Sequence, residues 1–170
     1  MDNILFELLK TISLVGNEEF MLILATLISL VIIFWHKEER LAGFILFNYG
    51  LTMTIVVLLK YLIHKERNPI ALVYENSFAF PSGHVAAATV SFLLLFYLSK
   101  FVKKMFWRDF MKISGIIWIG LMVYARLGLK VHDIYDVLAS IIIASFIFYI
   151  SIQIKLFKKG ILKKEIQNLN

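Results

Sequence analysis

The chain has no cysteine, few charges and no repeated or low-complexity segment, and each absence removes a class of protein. Without cysteine there is no disulfide, thiolate metal site or thiol nucleophile, although the compartment stays open. Charged residues are only 18% of the 170 and fall in clusters between long apolar runs. The chain therefore reads as one domain, residues 1–170, with no second unit set apart. A secretory signal is also missing: Asp2 and Glu7 stand where basic residues belong and no small-residue cleavage site follows, so the N-terminus is read as mature sequence. Apolar surface is what the chain has in abundance. Hydrophobic residues reach 60% and mean hydropathy +0.80, far outside the soluble range. The solvent is lipid, where backbone groups must satisfy one another, so the apolar runs predict spanning helices.

Residues 4–15 place Ile4, Leu5, Leu8, Leu9 and Ile12 on one helical face but are too few to span, which predicts an interfacial helix within residues 1–18. Spans are expected at 19–35, 41–63, from 83 or 84 to 102, at 110–125 and at 133–157. The expected fold is an all-α integral membrane bundle of five core transmembrane helices plus the N-terminal interfacial helix. A basic tail, 155–170, follows. The one long non-apolar interior stretch, 64–84, is a candidate for function because structureless loops of that length are uncommon.

A formal charge of +6 suggests nucleic acid until its distribution is traced. Each span switches side, so Lys37, Arg40, Lys100, Lys103, Lys104, Arg108, Lys112, Lys155, Lys158, Lys159, Lys163 and Lys164 share one face. That is twelve of the eighteen basic residues. Lys10, Lys60, Lys65, Arg67, Arg126 and Lys130 take the other. The excess is a topology signal and no nucleic-acid partner is expected: it places the tail in the cytoplasm, and the 64–84 loop with the 126–132 link together outside it.

Those two segments hold the residues with chemistry. Pro81-Ser82-Gly83-His84 opens an apolar helix: Pro81 fixes the entry, Ser82 can cap, and Gly83 lets backbone NH groups approach an anion such as phosphate. An ordinary capped helix with an interfacial histidine accounts for the same four residues. His132 and Asp136 are four apart, which on a helix puts both on one face. There the carboxylate can hold one imidazole nitrogen and leave the other as a lone pair, the arrangement of a nucleophile or base. Alternatively, Asp133 and Asp136 serve only the helix dipole. Lys60 and Arg67 either snorkel to headgroups or join Arg126 as three cations beside both histidines. Phosphoryl transfer asks for such positive charge and in-line positioning.

In this order, Lys60-x6-Arg67, Pro81-Ser82-Gly83-His84 and Arg126-x5-His132-x3-Asp136 resemble the three signature motifs of the type-2 phosphatidic acid phosphatase superfamily. The resemblance covers most of the chain. It implies a helical bundle shared with bacterial acid phosphatases and vanadium haloperoxidases. It also implies activity on a membrane lipid phosphate: phosphatidate, phosphatidylglycerophosphate or undecaprenyl pyrophosphate. His132 would attack phosphorus to form phosphohistidine, Asp136 would orient it, and His84 would protonate the leaving alkoxide. Lys60, Arg67, Ser82, Gly83 and Arg126 would hold the phosphate, with no metal and no cofactor implied. Two positions depart from the pattern: Asn68 separates Arg67 from Pro69, and Ala125 stands where a serine usually precedes the second arginine. Many membrane relatives carry a further span ahead of the interfacial helix, and none is expected here.

Two other readings stay on the same scaffold, a phosphotransferase and a vanadate-dependent peroxidase, the second ill suited to a membrane. A third, a proton pathway or small transporter through His84, His132 and Asp136, predicts ionisable pairs near the bilayer midplane, whereas these cluster at one interface. The expected location is the cytoplasmic membrane, multi-pass, with the active site facing outward and helix 4–15 beside its entrance.

Overall fold

The computed structural model describes residues 2–154, all helix and connecting loop, with no strand among them. The order is α1 (Asn3–Val15), α2 (Glu18–His36), α3 (Glu39–Ile63), α4 (Gly83–Leu98) continued by a 3-10 turn (Ser99–Phe101), α5 (Met105–Gly128) and α6 (Ile134–Gln153). Five of these, α2 to α6 with the 3-10 turn counted into α4, are long and apolar enough to cross a bilayer. The protein is a multi-pass membrane protein. The tail at 155–170 lies outside the described residues.

Span boundaries move where hydropathy and helical hydrogen bonding part company. α5 begins at Met105 and not near 110, because Arg108 and Asp109 continue the helix ahead of the expected span, with Asp109 paired to both Arg108 and Lys112. α6 begins at Ile134, since Asp133 is its N-cap: the Asp133 carboxylate accepts from the Tyr135 and Asp136 amides, and the Asp136 carboxylate accepts from the Asp133 amide. Such reciprocal capping satisfies donors that a helix start leaves open.

α4 is the axis of the bundle, packed against α5, α6, α3 and α2. Its first eight residues, Gly83 to Val90, are all buried, with three consecutive alanines, Ala86 to Ala88, letting neighbours approach closely. Phe44, Tyr49, Val90, Leu94, Ala144 and Phe148 fill the core one way, and Val85, Ala88, Met122 and Val137 the other. α2 is the most peripheral span. Exposed side chains such as Phe34, Trp35, Ile113 and Phe146 cover the outside, as a lipid-facing surface requires.

α1 has 13 residues, short of the ~20 needed to cross the hydrocarbon core. It lies against α5: Leu9 sits over Gly128, where a β-carbon would come within 2.7 Å of it, and Leu5, Phe6 and Ile12 join the cluster around Ala125, Leu129 and Val131. The buried stripe is rotated from the one expected, because Ile4 and Leu8 face outward while Ser13 is buried. Alternation of direction brings the starts of α2, α4 and α6 and the ends of α3 and α5 to one end of the bundle.

Candidate active site

The loop between α3 and α4 is folded back by the cations that flank it. Lys60 Nζ donates to the Phe78 carbonyl at 2.6 Å and lies 3.4 Å from Ser77 Oγ, while Arg67 Nε donates to the Ser77 carbonyl at 2.7 Å. The Leu72 amide donates to the Leu129 carbonyl at 2.9 Å, joining the loop to the end of α5. Asn68 forms a turn in which its side chain accepts from the Ile70 amide. Arg67, just ahead of that turn, reaches the 126–132 link, donating to the Val131 carbonyl at 3.1 Å.

His132 lies in that link, two residues ahead of α6, so its relation to Asp136 is made by the N-cap turn and not by one face of a helix. Its Nδ1 is 3.5 Å from Asp136 Oδ2, and Nε2 is 3.4 Å from Arg67 Nη1. Asp136, 1% exposed, is shared: Oδ2 also accepts the Asp133 amide, and Oδ1 accepts from Lys65 Nζ at 2.6 Å. Capping and facing His132 are thus done by one carboxylate. A carboxylate on the Nδ1 side favours the proton there and leaves Nε2 as the lone pair. Burial lowers the His132 pKa from 6.5 to about 4, with Arg126, Arg67 and Lys60 acting in the same direction and Asp136 against it. The ring is neutral at physiological pH, which a nucleophile requires.

Arg126, 1% exposed, donates to Ser13 of α1 and to Glu75 of the loop. Glu75 is the hub of the positive cluster. Oε1 pairs with Arg126, and Oε2 is 2.6 Å from Arg67 Nη2, so two guanidiniums share one anion. Burial raises the Glu75 pKa, but Arg126 and Arg67 outweigh it and hold the carboxyl below its usual value. Ala125 is fully buried beside Leu9 and Leu129, and the hydroxyl near Arg126 comes from Ser13 on another helix.

At the head of α4, Ser82 takes the N-cap position but makes no side-chain cap bond, contrary to the capping expected of it; its hydroxyl is buried and unpartnered. The helix entrance is instead tied to α6 by the Ser82 amide, 3.4 Å from the Asp136 carbonyl. Gly83 faces the Glu18 carboxylate so closely that a β-carbon would lie 2.6 Å from Glu18 Oε1. Glu18 Oε2 is 2.6 Å from His84 Nδ1. His84, Arg126, Ser13, Lys10, Glu18 and Glu75 line an open cavity of about 450 Å³, which places α1 at its edge. A second cavity of about 310 Å³ runs between α2 and α3, apolar along Leu22, Met53, Val56 and Val57 and polar at Lys60 and Glu18.

All eight residues singled out in the sequence lie at this end of the bundle. Four that sequence reasoning passed over, Ser13, Glu18, Lys65 and Glu75, pair with them. The only signal available was that each belongs to the same side of the membrane.

Residues 41–159 match the PAP2 superfamily. Among solved structures, a transmembrane PAP2-type phosphatidylglycerolphosphate phosphatase from Bacillus subtilis is similar, with a TM-score of 0.78 and 27% identity. The match covers 89% of this chain and 76% of that one. No curated protein matches the sequence.

Proposed function

The chain belongs to the PAP2 superfamily, and from that premise we propose that it is a membrane lipid phosphatase working through a phosphohistidine on His132. The observation that carries the reading is Glu75 bridging Arg67 and Arg126, because two guanidiniums there share one oxyanion and one of them, Arg67, lies against His132. A substrate phosphate takes the place of that carboxylate, with Lys60 as a further point charge and the Gly83 backbone and Ser82 hydroxyl at the head of α4.

In the first step Nε2 of neutral His132 bonds to phosphorus as the bond to the lipid oxygen breaks, and protonated His84 gives its proton to that oxygen. Asp136 stabilises the positive ring that results. In the second step water attacks phosphorus, passes a proton to His84, and the N–P bond breaks to release phosphate. Positive side chains around the phosphoryl oxygens supply the electrostatic stabilisation, and the mechanism draws on no metal or cofactor.

The polar cavity beside His84 suits a headgroup, and the apolar cavity between α2 and α3 suits the chains attached to it. Phosphatidylglycerophosphate heads the candidate substrates because the similar Bacillus subtilis protein is a phosphatase of that lipid; undecaprenyl pyrophosphate and phosphatidate follow. The described residues act as one domain, with α1 as its interfacial helix; the bound expected at residue 18 shortens to Val15, because Asn17 caps α2 and Glu18 opens it. The positive-inside rule puts the site outside the cytoplasm, since Lys37, Arg40, Lys100, Lys103, Lys104 and Arg108 collect at the opposite end. The test is purified protein given phosphorus-labelled lipid phosphates. An acid-labile, base-stable phosphoprotein should form, vanish in His132→Ala, and survive chelator. Activity retained by His132→Ala would end the proposal.

A further inference from the structure

We infer that Glu18 is the positioning residue for His84, an inference that rests on the phosphatase reading above. Glu18 lies in the first turn of α2, ahead of residues 41–159 that match the family and outside all three motifs. Its placement is built from several sides. Asn17 caps α2 by accepting from the Glu19 and Phe20 amides at 2.9 and 3.2 Å, which orients the first turn. Gly83 supplies the space, since a β-carbon there would lie 2.6 Å from Glu18 Oε1. The carboxylate oxygen that faces His84 is 2.6 Å from Nδ1.

A carboxylate at Nδ1 settles which nitrogen works. With Nδ1 protonated beside the Glu18 carboxylate, His84 carries its exchangeable proton on Nε2 when charged and a lone pair on Nε2 when neutral. Both proton transfers proposed for His84 then run through one atom without reorientation between steps. Glu18 stands to His84 as Asp136 stands to His132, and the site holds two carboxylate–imidazole pairs. The first span is thereby a working part of the site, beyond its place in the bundle.

The experiment compares two substrates by the leaving group. A short-chain phosphatidate releases an alkoxide and needs a proton, whereas 4-nitrophenyl phosphate releases a phenolate that departs without one. In Glu18→Gln, kcat/KM for the phosphatidate should fall roughly 10- to 100-fold, up to the lower limit of what general acid catalysis supplies because His84 itself remains, and that for the aryl ester should stay within about threefold. Glu18→Asp should recover part of the loss. The double variant Glu18→Gln/His84→Ala should be no slower than His84→Ala, because a residue acting through another is not additive with it. Equal losses on both substrates, no loss on either, multiplicative losses in the double variant, or a rise in activity would each overturn the assignment, the last by making Glu18 a stand-in for phosphate. A wild type inactive on both substrates, or an active His132→Ala, would instead remove the phosphatase reading and this inference with it.

Discussion

Acidification tests the proposed nucleophile directly. His132 is 6% exposed, and burial first, then Arg126, Arg67 and Lys60, hold its pKa at about 4 in place of 6.5. At ~1.4 kcal/mol per pKa unit, the folded site disfavours the imidazolium by about 3 kcal/mol. At about pH 5, roughly nine-tenths of His132 should be neutral, against roughly 3% of an ordinary imidazole, a difference of about 30-fold in available nucleophile. The sign for stability follows. Between about 4 and 6.5 the unfolded chain binds a proton that the folded chain refuses, so stability contributed here falls as pH drops through that window and levels off below it. The assay is nitrogen-15 NMR of histidine-labelled protein in detergent. There are four histidines, and the His132 signal is identified by its loss in His132→Gln. It should remain neutral, with the proton on Nδ1, until about pH 4. Titration near 6.5, or a proton on Nε2, would refute both the burial argument and the role of Asp136.

Three further outcomes are expected. Arg126→Lys should lower kcat/KM by about 10²-fold without rescue by the retained charge, because a point charge cannot serve Ser13 and the shared anion together; steady-state kinetics beside a melting curve separates this from unfolding. Leu9→Ala should cost about 2–5 kcal/mol by emptying the contact over Gly128, seen as a lowered Tm and as easier proteolysis of α1. In intact cells, a cysteine introduced at Asn76 should react with an impermeant thiol reagent and one at Lys104 should not; the reverse pattern would invert the proposed orientation.

The spans were legible because run length and hydropathy are local properties, and a run of apolar residues in lipid has little choice but helix. Their ends were less so: Arg108 and Asp109 lie within α5 ahead of the expected span, and Asp133 sets the start of α6 by capping it. Among site residues, the three motifs were readable and their convergence followed from counting spans. His132 Nδ1 and Asp136 lie 3.5 Å apart through a capping turn and not along one helical face, and Ser82 does not cap. The rotated face of α1 was missed because packing on Gly128 and Met122 outweighs the stripe that hydrophobic spacing alone suggests.

From the sequence alone came the solvent, the number of spans and the family resemblance of the three motifs, since each depends on composition or on neighbours along the chain. Only the tertiary structure decided which anion meets which cation. Glu75 is 51 residues from Arg126, and Ser13 is 113 residues from it. A glutamate at a span's edge has the same local signature whether it is solvated or pressed against a histidine. What separates the two is burial, which makes an unpaired charge costly and a partner obligatory, and burial is set by how helices from distant parts of the chain pack together.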